Sequence, residues 1–256
     1  MIFDSHIHTK FSTDSNMNIE NAISTAKLKN IGLIITDHMD LDFPGDKDFK
    51  FDVNEFFNTY EIYRSDNLKL GIELGLNENF LDQNTKIANS HDFDFILGSI
   101  HSVNGNDIYY ELLNNSPSKK DFFIEYFNTM LHCVKIYDSF DSLSHIDYPS
   151  RYCSFDNKEI ILDENKDVIS EIFRTIISKG KVIELNTNRL NSKEAINTIM
   201  EIYKLYHDLG GRYVTIGSDS HIKENIGKNF DTAFKITEAL GLKSVYFNKR
   251  KIEYMK

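Results

Sequence analysis

The first eight residues, Met1-Ile2-Phe3-Asp4-Ser5-His6-Ile7-His8, read as a β-strand that ends in two histidines two positions apart. Side chains on a strand alternate with a period of two, so His6 and His8 point the same way and offer both imidazoles to one side. Later strand-like runs finish on residues of the same kinds: Asp37-His38, Glu73, His101, His145, Asn186 to Arg189, and Asp219-Ser220-His221. In a chain that alternates strands with helices, strand ends gather on one face, where active sites are built. Histidines and carboxylates distributed in this way predict a polynuclear metal centre, and with it a metal-dependent hydrolase.

The two hydrophobic periodicities alternate along the whole chain. Strands are expected over 1–8, 32–38, 68–76, 93–101, 140–145, 181–186 and 213–218. Helices are expected over 18–30, 53–64, part of 79–90, 119–136, 165–179, 193–209 and 231–240. Gly210-Gly211 and Gly241 stand where the last two helices must stop. Residues 102–117 look looser, and 243–247 read as a short edge strand. Seven βα units imply a parallel sheet in one α/β domain spanning residues 1–256. A distorted (β/α)7 TIM-like barrel suits the length better than an open doubly wound sheet. No GxGxxG follows the first strand and no GxxxxGK[ST] occurs, so neither a dinucleotide nor a P-loop site is indicated.

Charge and composition narrow the partners. A net charge of −10 argues against broad binding to nucleic acid or an anionic membrane, which needs a basic footprint. The two cysteines, Cys133 and Cys153, form neither a CxxC pair nor a disulfide framework. No basic leader precedes the first strand, and no run approaches the roughly 18 apolar residues of a membrane span. A cytoplasmic protein acting on a small molecule is expected. Oligomeric state is not legible.

Each candidate ligand has an ordinary alternative, and the set is stronger than its members. His6 and His8 alone could be a surface pair, and Asp14 a turn aspartate. Asp37-His38, however, ends a buried Ile-Ile-Thr run. Glu73 lies inside the apolar stretch Leu70 to Gly75, where a carboxylate costs several kcal/mol unless it is paired or bound to metal. His101 and His145 end strands as well, and Asp219 with His221 repeats the two-residue spacing of the start. Six of the nine histidines sit at the same ends of their strands; His91, His132 and His207 do not.

These motifs, in order HIH, STDS, TDH, IELG, SIH, SHID and SDSH, resemble those of the polymerase-and-histidinol-phosphatase family over nearly the whole chain. The resemblance implies a distorted (β/α)7 barrel with a trinuclear site at the strand C-termini. One metal would take His6, His8, Glu73 and Asp219. A second would take Glu73, His101 and His145, with Glu73 bridging, and a third Asp14, His38 and His221. Two or three zinc, manganese or iron ions suit such mixed nitrogen and oxygen donors.

Two stretches look like the histidinol-phosphatase branch: His145 to Tyr152, which carries Arg151, and Glu184 to Leu190, which carries Arg189. A guanidinium fork makes two parallel hydrogen bonds to phosphate oxygens, so Arg151 and Arg189 are the expected phosphate clamp, with Asn186 as a substrate-binding neighbour. The expected chemistry is in-line attack on phosphorus by a metal-bound hydroxide, with histidinol phosphate as substrate. Asp42, Asp46 and Asp48 are candidates to meet its cationic end. Ser102-Val103-Asn104-Gly105 departs from the aromatic expected beside His101. Other monoesters, of a phosphotyrosine protein or a small nucleotide, are the nearest rivals, and a non-catalytic metal-binding regulator a more distant one.

Overall fold

The computed structural model describes residues 1–43, 49–114 and 118–255. Seven strands run parallel and neighbour one another in chain order: β1 (Phe3–Ile7), β2 (Gly32–Ile35), β3 (Leu68–Gly75), β4 (Phe95–Ser99), β5 (Ser142–Leu143), β6 (Val182–Asn186) and β7 (Tyr213–Gly217). Nearly every residue in them is buried, as strands covered on both faces require. Eight helices intervene among the described residues: α1 (Ile19–Lys29), α2 (Val53–Tyr60), α3 (Leu81–Ala88), α4 (Ile108–Asn114), α5 (Lys119–Ile136), α6 (Leu162–Ser178), α7 (Lys193–Asp208) and α8 (Phe230–Leu240). Their ends are set by local chemistry. Asn18 caps α1 by accepting the Asn21 N–H, Ser192 caps α7 through the Ala195 N–H, and Gly241 ends α8 at φ 67°.

The first and last of the seven strands meet at their C-terminal ends. Ile7 bridges Ser220, the His8 N–H donates to the Ser220 carbonyl at 2.9 Å, and the Asp219 N–H donates to the His6 carbonyl at 2.9 Å. At the opposite end β7 instead pairs, through Tyr213 and Val214, with β8 (Lys243–Asn248), and β9 (Lys251–Tyr254) folds back antiparallel on β8. The edge strand expected over 243–247 is therefore one arm of a hairpin. A small apolar cluster takes Phe3 from β1, Ile34 from β2, Phe95 and Leu97 from β4, Val182 from β6 and Phe247 from β8. Its buried members all come from strands, while the larger core lies between strands and helices.

Two stretches differ from the sequence reading. The strand expected over 32–38 breaks at Thr36-Asp37 and resumes as His38–Met39, paired with β3. The break has a cause: the buried Asp37 carboxylate accepts the Thr9 N–H at 2.6 Å, the Thr9 hydroxyl at 2.7 Å and the Ser12 hydroxyl at 2.7 Å. Residues 102–117 are more ordered than expected. They hold a two-stranded hairpin, Ser102–Val103 with Asn106–Asp107, followed by α4.

Candidate metal centre

All nine expected ligands come to one place, at the C-terminal ends of the strands. Glu73, fully buried near the end of β3, stands in the middle. One of its oxygens lies 3.2 Å from His6 Nε2, 3.4 Å from His8 Nε2 and 2.9 Å from His38 Nδ1. The other lies 3.3 Å from His101 Nε2 and 3.0 Å from His145 Nε2, and accepts the Ser99 hydroxyl at 2.7 Å. Asp219 reaches His8 Nε2 at 3.2 Å and His6 Nε2 at 3.5 Å. Asp14, the most exposed of the nine, reaches His221 Nε2 at 3.0 Å and His38 Nε2 at 3.7 Å. His8 also stacks on His221 with ring centroids 4.0 Å apart, so it belongs to both halves of the cluster.

Donors turn inward because their other atoms are held from outside. His6 Nδ1–H donates to Glu184 at 2.7 Å and His101 Nδ1–H to Asp40 at 2.9 Å. His8 Nδ1–H donates at 2.9 Å to the Ser12 hydroxyl, which passes its own proton to Asp37. Glu184 also accepts the His145 backbone N–H at 2.9 Å and the Asn186 side-chain amide at 3.1 Å. Such partners fix the ring tautomer and leave Nε2 free to bind a metal. Glycine makes room for two of them: a Cβ at Gly217 would strike Glu184 and His6, and one at Gly75 would strike Asp40. Asp219 itself sits at φ 56°, a strained position for an aspartate, with Arg151 paired to its carboxylate.

Electrostatics point to cations. Burial disfavours charge on His6, but Asp219, Glu73 and Glu184 outweigh it and lift its pKa well above the usual value. His38 is likewise lifted to about 9, the carboxylates of Glu73, Asp40 and Asp14 overcoming burial. His8 goes the other way, driven down by burial and by His221 and His38. Buried polar atoms normally find a partner. Here Nε2 of His6, His8 and His221, Nδ1 of His38 and Oε2 of Glu73 are buried and crowd against one another or against Asp14 without forming well-aligned hydrogen bonds. Donor atoms of His6, His8 and Glu73 lie within 4.8 Å of one another, as do those of His8, His38 and His221, of His6, His145 and Asp219, and of His38, Glu73 and His101. Imidazole nitrogens and carboxylate oxygens in these triads fit divalent transition-metal ions.

A cavity of about 310 Å³ opens over the cluster, and Arg151 lines it. The Arg151 side chain is buried, and its Nε and Nη2 have no hydrogen-bond partner. Arg189 lies behind it, lining a second recess that Arg151 shares, and is paired with Asp147 at 2.8 Å and with Glu159. Asn186 is engaged at both polar atoms, donating to Glu184 and accepting the Asn188 N–H at 3.0 Å. Asp42 accepts from Asn77 at 2.7 Å and from Ser102, away from the cavity lining; Asp46 and Asp48 lie outside the described residues. The aromatic absent after His101 is supplied from elsewhere, by Tyr148, whose ring centroid is 4.8 Å from those of both His101 and His145. Sequence reasoning missed Glu184, Asp40 and Ser12, whose partners are distant along the chain except for the four-residue spacing of His8 and Ser12.

Residues 4–188 match the family model described as PHP domain. A probable histidinol-phosphatase of Clostridium acetobutylicum is 48% identical over 99% of this chain and all of its own length. A probable histidinol-phosphatase of Thermotoga maritima is 31% identical, covering 91% of this chain and 90% of its own. The crystal structure of histidinol phosphate phosphatase from Lactococcus lactis, complexed with zinc, L-histidinol and phosphate, superposes with a TM-score of 0.90 at 27% identity, covering 98% of both chains.

Proposed function

The chain belongs to the PHP domain family, and from that premise we propose that it is a histidinol-phosphatase, hydrolysing L-histidinol phosphate to L-histidinol and phosphate in histidine biosynthesis. The observation that supports this reading most is the convergence of nine histidine and carboxylate side chains on Glu73, beneath a cavity that a buried, incompletely paired arginine lines. We take the seven parallel strands, touching where Ile7 meets Ser220, as a distorted (β/α)7 barrel forming one domain over residues 1–256.

Two or three zinc, manganese or iron ions would be held by His6, His8, Glu73 and Asp219, by Glu73, His101 and His145, and by Asp14, His38 and His221. Cations bound there supply Lewis-acid charge and lower the pKa of the water that attacks phosphorus. The chain's own residues do the rest. Glu184, Asp40 and Ser12 hold the imidazoles in the ligating tautomer, so little reorganisation is left for the reaction. Arg151 offers Nε and Nη2 to the phosphoryl oxygens, whose charge must be offset in the transition state. Arg189, held by Asp147 and Glu159 in the adjoining recess, would complete the clamp by turning toward a phosphate oxygen, and Asn186 steadies the wall through Glu184. A phosphatase in this role works in the cytoplasm on a small monoester. No helix among the described residues is long and apolar enough to cross a membrane.

The test is phosphate release by zinc- or manganese-loaded protein from histidinol phosphate, phosphotyrosine, a nucleoside monophosphate and an aryl phosphate. The expected kcat/KM for histidinol phosphate exceeds the others by at least about a hundredfold, roughly 2.7 kcal/mol of discrimination. Equal, slow turnover of all four would refute the biosynthetic assignment.

A further inference from the structure

The hairpin that follows His101 returns a carboxylate to the mouth of the cavity. Asn104 and Gly105 both take positive φ, 53° and 77°, the backbone of a tight two-residue hairpin turn. That turn pairs Ser102 with Asp107 and brings the Ile108 N–H to the His101 carbonyl at 2.9 Å. Asp107 thus stands beside a metal-cluster histidine although the two are six positions apart in the chain. It is 9% exposed and lines the cavity.

Two aromatic rows run outward from the cluster to the helix that Asp107 begins. On one side Tyr148 packs on His101 and His145, Tyr152 on Tyr148 at 5.2 Å, and Tyr109 on Tyr152 at 5.0 Å. On the other, Phe49 packs on His38 at 5.4 Å, Phe43 on Phe49 at 4.3 Å, and Tyr110 on Phe43 at 6.2 Å. The outermost rings, Tyr109 and Tyr110, meet at 5.3 Å, so the two rows frame the cavity, and Asp107 stands in its lining beside His101. Of the four described carboxylates that line the cavity, Asp14 and Asp219 contact the cluster histidines and Asp40 accepts from His101. Asp107 meets only backbone donors there, accepting the Tyr110 N–H at 3.1 Å through Oδ1 with the Tyr109 N–H beside it, and no cation pairs with it among the described residues.

Resting on the histidinol-phosphatase reading, we propose that Asp107 is the counter-ion for the cationic end of the leaving alcohol, and so determines specificity rather than catalysis. Phosphate held at Arg151 and the metals leaves the alcohol's ammonium and ring in the aromatic part of the same cavity, where a charge-assisted hydrogen bond to Asp107 replaces lost water. A neutral monoester uses the cluster and Arg151 but not Asp107.

The competing role is a simple helix cap, since Asp107 opens α4. Asp107→Asn separates the two, because asparagine caps a helix about as well as aspartate yet carries no charge; Asp107→Ser, also a good cap, is the second variant. Each is loaded with zinc and assayed on histidinol phosphate and 4-nitrophenyl phosphate, with metal content measured alongside. Expected is a fall of about 10- to 100-fold in kcat/KM for histidinol phosphate, mainly in KM, and a change below about threefold for the nitrophenyl ester. Inhibition by histidinol should weaken in parallel, at unchanged metal content. Equal losses on both esters, or none on either, would overturn the proposal. A wild type that favours histidinol phosphate beside variants that still do refutes Asp107 alone; a wild type without that preference refutes the function as well.

Discussion

The two ends of the strands treat their charged side chains in opposite ways. At the N-terminal ends two buried aspartates are each matched by an arginine and by backbone N–H groups. Asp94 accepts the Leu70 and Lys249 backbone N–H groups, each at 3.0 Å, and pairs with Arg64 at 3.3 Å. Asp141 accepts the Ile96 N–H at 2.8 Å and pairs with Arg250, which also donates to the Ser139 carbonyl at 3.1 Å. These contacts lock the β8–β9 hairpin under the sheet, even though its turn residues Lys249 and Arg250 both sit at positive φ. At the C-terminal ends, by contrast, donors crowd together and several stay unmatched. Charges satisfied by the protein hold the fold; charges left for something else hold a ligand.

This contrast can be broken in graded steps. The largest effect is expected at Glu73, where Glu73→Ala should remove most bound metal and reduce turnover by more than about a thousandfold, while a thermal melt of the metal-free protein still shows cooperative unfolding. His6→Ala and Asp219→Ala should behave alike, and full activity in either would undo their assignment. At the other end Asp141→Ala should cost about 3 kcal/mol of stability, because it strands Arg250 and the Ile96 N–H. Denaturant unfolding measures that loss, and metal content of the folded fraction should stay at the wild-type value.

Smaller effects sharpen the account of the cluster. Glu184→Gln weakens the hold on His6 and should lower zinc affinity about 10- to 100-fold without preventing folding. The pH dependence has a definite sign. With its metal-free pKa near 9, His38 is protonated at neutral pH, so a cation must expel that proton to use the ring. Zinc affinity, measured by competition with a chelator of known pH dependence, should therefore rise from pH 7 to pH 9, with His6 adding to the same trend. A flat profile would place His38 outside the ligand set.

Much of this was legible in the chain because the signals are local. Period-two and helical patterns locate all seven parallel strands, and ligand residues advertise themselves by ending apolar runs, as His101 does after Phe95 to Ile100. What stayed hidden depends on distant pairing. Glu184 lies in an ordinary apolar strand, and nothing in Val182 to Asn186 says that it meets His6, 178 residues earlier. The break at Thr36-Asp37 could not be read from Ile34-Ile35 because its cause sits at Thr9 and Ser12. Asp107 was overlooked although Asn104-Gly105 is a recognisable turn signal; the stretch looked loose because its strands are only two residues long.

If the C-terminal ends of the strands hold a polynuclear metal centre, metal stoichiometry reports it directly. Metal-free protein would be titrated with zinc and the tightly bound ions counted by elemental analysis after gel filtration, beside Glu73→Ala and Asp141→Ala. Two or three ions per chain in the wild type and in Asp141→Ala, with at least one lost in Glu73→Ala, is the predicted result. One ion or none in the wild type, or the same count in all three proteins, would contradict it.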